Sequence, residues 1–475
     1  MMDLMRASWT GVLTLVFALV VTLELHRGGL AQGPFKSFMC AGSVMLSGAN
    51  PYLVEPLRSC EQRLNPNPNL PAYRVEPAPL PGYALVPFAA LSKLPVKAAQ
   101  YLFTWASIAA LALSAWQIGA LTGFPRPAVL LGLLPLGYLN IAFGEIPPIM
   151  LAAIATAGFL IARKQWVWAS VAASVSMIEP HVGLATCLAM FVLLPRCRIP
   201  LAVCAATLGA LSVAVMGVAH NVTYFHSLLP SQAVAELAAN DQYSLSRVLY
   251  IWGVSPDAAL VLGGLSFLLM LAAGIFLGRN LAMRLDAPEL IAWFPAAAAL
   301  LAGSFVHDIQ MIAALPAAFA VAARTSRFRG IAFGALVALS FVWTLTAGRL
   351  SLVISITAVL AIALVAFSAS LRPLPLRLVA TAATVLMAVA WVAVFQHVAT
   401  ASAPHALPSD PAPGTTGPDV LSSIDWGAFL RATPVLSVPN PGIELLKVPT
   451  WAALVALVFV ALVQVRRRTE PFRAP

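Results

Sequence analysis

The chain has 475 residues, of which 60% are hydrophobic and only 10% are charged, and its formal net charge is +10. Because a soluble domain carries about 25% charged residues, this composition excludes an ordinary water-soluble fold and predicts an all-α, multi-pass membrane protein. The positive charge does not indicate a nucleic-acid partner, since the basic residues form short clusters between apolar segments, where they set membrane orientation.

Apolar segments that could cross a membrane recur along the chain, judged against the roughly 20 residues that a spanning helix needs. They cover 9–25, 97–121, 127–143, 147–163, 166–179, 182–195, 199–219, 257–278, 289–304, 306–323, 330–347, 350–368, 377–396 and 449–465. This pattern predicts one integral-membrane domain, 1–475, with about 12–14 transmembrane helices. The short pair around Glu179-Pro180-His181 predicts either two short helices or one re-entrant hairpin.

Basic residues occupy alternate junctions between these segments and predict which side is cytoplasmic. They include Arg126, Arg163, Arg196, Arg279, Arg324, Arg372 and Arg466. Both termini are then cytoplasmic, and three segments lie outside. Residues 26–95 form the first outer loop, 220–256 form a polar and aromatic outer loop, and 397–448 form a flexible loop rich in Pro, Ser and Thr that carries no chemistry.

The first outer loop contains an amphipathic pattern. Apolar residues from Phe35 to Leu46 recur at helical spacing and alternate with Lys36, Ser37 and Cys40, which predicts a short helix lying at the membrane surface. Cys40 and Cys60 share this loop. They either form a disulfide, if the loop faces an oxidising compartment, or remain two thiols.

Five acidic residues lie at predicted outer helix ends, several with a histidine nearby. They are Glu24, Glu145, Glu179, Asp241 and Asp308, and the histidines include His181 and His307. A solvated loop residue is the simplest interpretation of any one of them. Together they predict an outward-facing polar cavity roofed by the first loop, because ionisable groups near membrane depth usually pair or mark a site.

The sequence contains no phosphate-binding loop, no His-Glu-x-x-His, no Cys-x-x-Cys and no Gly-x-Ser-x-Gly motif. These absences argue against nucleotide hydrolysis and zinc hydrolase chemistry. We therefore predict no metal and no cofactor. The remaining carboxylates, histidines and guanidinium groups suit acid–base chemistry on a lipid-linked phosphate, or ion-coupled transport.

Several segments in order resemble glycosyltransferase family 87, a family of GT-C membrane enzymes. PFKSFMCAGSVMLSGANPY resembles the first outer loop of the family, and PAPLPGYALVPFAALSKLP resembles the segment that follows it. Gly144-Glu145 stands where the family often has Gly-Gln, and Glu179-Pro180-His181 stands where it often has Lys-Pro-Gln. Asn240-Asp-Gln242-Tyr-Ser244 is similar to its Asn-Gln-Ser-Leu, and Ser304-Phe-Val-His307-Asp308 is similar to its late outer junction.

The resemblance implies a GT-C-like bundle in a bacterial inner membrane. It implies transfer of a mannose-like hexose or a pentose from a polyprenyl-phosphate donor, which is a substrate and not a cofactor, to a glycan or lipid acceptor on the outer face. Membrane lipids are the other expected partners. Pro34 stands where the family has its loop aspartate, the expected general base, and proline cannot accept a proton.

A relocated base would then be Glu145 first, Glu24 second or Glu179 third. The predicted substrate-binding residues are Arg27, Lys36, His181, Asn240, Gln242, Ser244, Arg247, His307 and Asp308. Two alternatives remain: a transporter or flippase that uses the same acids as proton relays, and a GT-C paralogue that has lost activity.

Overall fold

The computed structural model describes residues 2–30, 32–64, 75–76, 78–303, 305–341, 343 and 441–466. Every regular element in these residues is helical, apart from one isolated antiparallel bridge between Gln242 and His307. The first nine helices are α1 (Met2–Arg27), α2 (Gly33–Leu46), α3 (Val54–Leu64), α4 (Gly82–Leu91), α5 (Val96–Thr122), α6 (Arg126–Phe143), α7 (Pro147–Ala162), α8 (Trp166–Val175) and α9 (Pro180–Leu193).

The remaining helices complete the described part of the bundle. They are α10 (Pro195–Thr223), α11 (Leu229–Glu236), α12 (Leu245–Ile251), α13 (Pro256–Arg284), α14 (Leu290–Ala299), α15 (Leu315–Arg324), α16 (Arg329–Leu339) and α17 (Pro441–Arg466). A π-helical turn, Tyr224–Leu228, joins α10 to α11, and a 3-10 helix, Asp308–Ala314, precedes α15.

Six helical segments among the described residues are long and apolar enough to cross a membrane. They are Trp9–Arg27, Val96–Thr122, Arg126–Phe143, Pro195–Glu236, Pro256–Arg284 and Glu444–Arg466. Shorter apolar helices, including α7, α9 and α14, pack between them. The chain is therefore an all-α protein with the helices of a multi-pass membrane protein. The predicted segments 350–368 and 377–396 lie outside the described residues.

Helices α8 and α9 form a hairpin, which decides how the Glu179-Pro180-His181 segment folds. The Cys187 thiol donates to the carbonyl of Ala173 at 3.2 Å, so the two helices run side by side. Gly183 lies against the backbone of Ser176 at a distance that a Cβ atom would not permit. With 10 residues, α8 is about 15 Å long, well short of a 30 Å hydrocarbon core. Glu179 lies at the tip of this hairpin.

The first loop folds as three helices, α2 to α4, and its Cys40 and Cys60 form a disulfide. The predicted amphipathic helix is present as α2. Most of it is buried, because α4 packs against it and the disulfide connects it to α3, while Ser43 and Leu46 remain exposed. Its position relative to a membrane stays a prediction. Phe35 packs edge-on against Phe88 of α4 with ring centroids 6.2 Å apart, and Phe38 packs against the same ring at a tilt with centroids 5.1 Å apart.

Two other predicted loops are also more ordered than the sequence indicated. Residues 220–256 are largely helical, since α10 continues to Thr223 and is followed by the π-helical turn, α11 and α12. The segment is attached to the first loop by the Tyr224 hydroxyl, which donates to the carbonyl of Pro79 at 3.3 Å. Residues 441–448 of the predicted flexible segment 397–448 are the first turns of α17. The rest of that segment lies outside the described residues.

The bundle has a basic end opposite the junctions that carry the acidic residues. At the basic end, the Arg324 guanidinium donates to the carbonyl of Leu121 at 2.8 Å and forms an ion pair with Glu289. Arg284 reaches the last turns of α17 by donating to the carbonyl of Gln464. The other end, which we call the acidic end, contains Glu145, Glu179, Glu236, Asp241 and His307.

Candidate functional site

Three junctions between helices meet at the acidic end. They are the α6–α7 turn with Glu145, the tip of the α8–α9 hairpin with Glu179, and the segment 305–314. The Asn140 side chain donates to the carbonyl of Ile309 at 3.1 Å, which joins the first junction to the third. Gln310 Nε2 donates to Glu179 Oε2 at 3.3 Å, which joins the third junction to the second.

The first loop covers these junctions. Gln32 Nε2 donates to the carbonyl of Ile141 at 3.1 Å, and the Tyr83 hydroxyl donates to the carbonyl of Met177 at 2.8 Å. Gly144 ends α6 with φ of +81°, and a Cβ atom there would lie 2.7 Å from Cβ of Phe35. A glycine is therefore required for α6 to end beneath α2.

Glu145 follows this glycine and is half-buried. Its carboxylate makes no hydrogen bond or ion pair with any side chain that the structure describes. Burial raises the pKa of Glu145 well above its ordinary value, and the nearby carboxylate of Glu179 raises it further, while the positive charge of His307 opposes them. Glu145 is therefore a carboxyl group with raised proton affinity that has no side-chain partner among the described residues, which is a suitable state for a proton acceptor.

Glu179 is more enclosed, with 9% of its surface exposed. Burial raises its pKa to about 7, even though the charge of His307 and the hydrogen bond from Gln310 act in the opposite direction. His181 stands two residues further on, with its Nε2 3.9 Å from Glu179 Oε2 and its ring edge-on to Phe305. Glu145 and Glu179 thus form a pair of carboxyl groups whose pKa values are both raised, chiefly by burial.

His307 lies beside this pair and is held by three residues that precede α12. Its Nε2 is 3.2 Å from Glu236 Oε2, 2.9 Å from Gln242 Nε2 and 4.0 Å from Asp241 Oδ2. Burial alone would lower the pKa of His307, but the carboxylates of Glu236 and Asp241 outweigh it and raise the pKa to about 10. In the absence of another cation, His307 is the positive charge that faces the acid pair.

A buried ionic cluster next to this site attaches α17 to α12. Arg247 is fully buried and donates to Glu444 Oε1 at 2.8 Å and to Asn240 Oδ1 at 2.9 Å. Lys447, also fully buried, donates to Glu444 Oε1 at 2.8 Å and to the carbonyl of Gln242 at 2.7 Å. The hydrogen-bonding capacity of Arg247 and Asn240 is therefore directed at the protein itself and not at a substrate.

The other predicted site residues occupy different places. Glu24 lies at the end of α1 with Arg27, 3.9 Å away, and their side chains are 40% and 71% exposed. Ser244 caps α12 by accepting from the Arg247 amide at 3.3 Å. Lys36 lies on α2, where the ammonium group of Lys97 and the carboxylate of Glu76 act on it.

The sequence prediction did not include several members of this site. Asp308, which it did include, is buried at the start of the 3-10 helix. Glu236, Gln310, Glu444 and Lys447 were missed. Glu236 is the last residue of α11, which falls in a segment that was interpreted as an outer loop, and Glu444 and Lys447 belong to a segment that was interpreted as flexible. Their i, i+3 spacing within a helix was the available signal.

Comparisons with protein-family models, curated proteins and solved structures give no match to this chain. The site itself is therefore the basis for a functional proposal. It combines two carboxyl groups whose pKa values are raised and a buried histidine whose pKa is raised to about 10. Such a set can accept a proton from a hydroxyl group and hold an anionic group nearby.

Proposed function

We propose that the protein is a membrane glycosyltransferase that moves a hexose or pentose from a polyprenyl-phosphate donor to a hydroxyl group of an acceptor. The observation that carries the proposal is the Glu145–Glu179 pair, which lies beneath the first loop with the Glu145 carboxylate free of hydrogen bonds to described residues. This arrangement provides a base in a covered site, at the end of the bundle opposite the arginine clusters.

Glu145 is the base in this mechanism. Its carboxylate accepts the proton of the acceptor hydroxyl while the hydroxyl oxygen bonds to the anomeric carbon. The bond between that carbon and the phosphate oxygen breaks, and polyprenyl phosphate leaves with both electrons of the bond. Glu179 keeps the pKa of Glu145 high and so makes it a stronger proton acceptor. Glu24 does not fit this role, because it is exposed and paired with Arg27.

The positive charge near the pair suits the departing phosphate. His307 acts electrostatically on both carboxyl groups. Positive charge placed where negative charge develops is often the largest contribution to catalysis. The apolar surface of the bundle is available for the isoprenoid chain.

The disulfide supports placing the acidic end outside the cytoplasm. Cys40 and Cys60 are bonded in the first loop, and disulfides persist in oxidising compartments such as the bacterial periplasm. The basic end, with Arg126, Arg284 and Arg324, then faces the cytoplasm, as the positive-inside rule predicts.

The spacing of ionisable residues favours transfer over proton-coupled transport. Helix α7 has no ionisable residue over its whole length, and α13 has none between Asp257 and Arg279. Within the described helices, the acidic residues therefore make no relay from one end of the bundle to the other. A proton-coupled transporter would need such a path.

The experiment uses the purified full-length protein in lipid nanodiscs, a synthetic polyprenyl-phosphate mannose or pentose donor, and an extract of envelope glycans as acceptor. We expect release of polyprenyl phosphate that depends on the acceptor. Release that is absent with both donors contradicts transferase activity. Uptake of the intact donor into proteoliposomes without its cleavage would instead identify a transporter.

A further inference from the structure

Three side chains with metal-ligating atoms converge where α11, the segment before α12 and residue 307 meet. Glu236, Asp241 and His307 each offer one such atom, and these atoms lie within 4.8 Å of one another. Two atoms that share a Zn²⁺ ion at about 2.1 Å are separated by about 3.0–3.4 Å. His307 Nε2 and Glu236 Oε2, 3.2 Å apart, already meet this condition. The Asp241 carboxylate needs a shift of about 1 Å.

The hydrogen bonding around His307 is inconsistent in the absence of a cation. If Nε2 of His307 carries a proton, it can donate that proton to Glu236. The Gln242 amide nitrogen, 2.9 Å away, is then a second donor that faces the same N–H group. If Nε2 carries no proton, its lone pair faces the carboxylate of Glu236. A flip of the Gln242 amide does not help, because its Oε1 accepts from the Val306 amide at 3.0 Å.

One carboxylate oxygen of Asp241 lacks a hydrogen-bond partner among the described residues. Asp241 Oδ1 is buried and makes no hydrogen bond within the described part of the chain. Since the Asp241 side chain as a whole is 24% exposed, it has room to turn toward His307. An unsatisfied carboxylate oxygen beside a second carboxylate and an imidazole is the donor set of a cation site.

We propose that Glu236, Asp241 and His307 bind one divalent metal ion at the acidic end of the bundle. One imidazole nitrogen and two carboxylate oxygens suit Zn²⁺ or Mn²⁺ better than Mg²⁺, which prefers oxygen ligands and retains its water. The ion takes up the lone pairs of His307 and Glu236. Gln242 Nε2, which already lies 3.3 Å from Glu236 Oε2, then donates to a ligand carboxylate and fixes its orientation.

This site also deepens the proposed function, on which the following step rests. His307 interacts electrostatically with both Glu145 and Glu179, so an ion on His307 lies beside the carboxyl pair. Three protein ligands leave coordination positions open. An oxygen of the donor phosphate can occupy one of them and share its developing negative charge with the ion.

The test measures metal binding and not activity, so it remains informative if glycosyl transfer fails. Purified full-length protein is stripped with a chelator and dialysed against Zn²⁺ alone or Mn²⁺ alone, and bound metal is counted by mass spectrometry. Electron paramagnetic resonance of Mn²⁺ provides an independent measure of affinity. The variants are Asp241→Asn, Glu236→Gln and His307→Gln. Asp257→Asn, an exposed acid on α13, is the matched control.

We expect about one ion per chain in the unmodified protein and in the Asp257→Asn variant, with affinity at least tenfold weaker in each of the three ligand variants. Asp241→Asn is the decisive variant, because its isosteric side chain is partly exposed and keeps the fold intact, as thermal unfolding can verify. The proposal is overturned if the protein shows no saturable binding, or if Asp241→Asn binds metal as tightly as Asp257→Asn does.

Discussion

The Tyr83 hydroxyl donates a hydrogen bond of 2.8 Å to the carbonyl of Met177. This contact joins α4 of the first loop to the tip of the α8–α9 hairpin, two residues before Glu179. The first loop is therefore attached to the site it covers, and the position of Glu179 depends on a segment almost a hundred residues away. We expect a substitution in either segment to alter the position of the other segment.

Removing the disulfide tests how much the Cys40–Cys60 bond stabilises the first loop. Cys40 and Cys60 are separated by 20 residues, and closing a loop of this length stabilises a protein by about 3 kcal/mol. We expect the double variant Cys40→Ser, Cys60→Ser to unfold at a lower temperature in detergent. The Cys204→Ser variant, which removes a free thiol, is the control. Equal unfolding temperatures for all three proteins would show that the disulfide is not a structural support.

The buried cluster at the start of α17 gives a prediction about stability. Glu444 is the acceptor shared by Arg247 and Lys447, so the change Glu444→Gln removes the carboxylate that both buried cations contact. Breaking a buried ion pair in this way costs about 3–5 kcal/mol. We expect a clear loss of thermal stability. The exposed acid change Asp257→Asn should have no such effect, and an equally small effect of both changes would contradict the ionic role of Glu444.

The raised pKa of Glu179 predicts a pH dependence of stability. Because the pKa is raised from 4.5 to about 7, the folded protein holds this proton more tightly than the unfolded chain does. Its contribution is fully present below pH 4.5 and is lost as the pH rises through about 7. We expect the unfolding temperature to fall over this range in the unmodified protein and to fall less in Glu179→Gln. Parallel pH curves for the two proteins would refute the assigned pKa.

Membrane orientation follows from the distribution of arginines and can be tested directly. Reporters fused after Lys164, Arg329 and Arg468 should report the cytoplasm, while reporters near Asn65 and Pro411 should report the outside. Asn65, Pro411 and Arg468 lie outside the described residues. Opposite results at two or more of these positions would place the acidic end on the cytoplasmic side and remove the argument for an outward-facing site.

The sequence predicted part of this site because of where residues fall relative to helix ends. Glu145, Glu179, Asp241 and His307 each stand at a junction between apolar segments, and helices of similar orientation bring such junctions to one end of a bundle. Glu24 also ends a helix, and its carboxylate lies 3.9 Å from the Arg27 guanidinium. Sequence periodicity does not determine the lateral position of a helix in a bundle, so the pattern alone does not decide whether Glu24 belongs to the site.

The remaining contacts could not be predicted because they join distant parts of the chain. Lys447 donates to the carbonyl of Gln242 across 205 residues, and Gln310 reaches Glu179 across 131 residues. Both contacts depend on which helices pack side by side. In the same way, Ser37 and Cys40 on the polar side of α2 are buried, whereas its amphipathic pattern alone indicated exposure.

Glycosyl transfer by the Glu145→Gln variant is the most direct test of the central claim. Removing a general base costs about 10²–10⁴-fold in rate. We expect release of polyprenyl phosphate to fall by this factor in Glu145→Gln, to fall less in Glu179→Gln, and to remain near the unmodified rate in the exposed control Glu24→Gln. If Glu145→Gln retains activity within a few fold while Glu24→Gln or Glu179→Gln abolishes it, Glu145 is not the base. If all three variants remain fully active, the acid pair has no catalytic role.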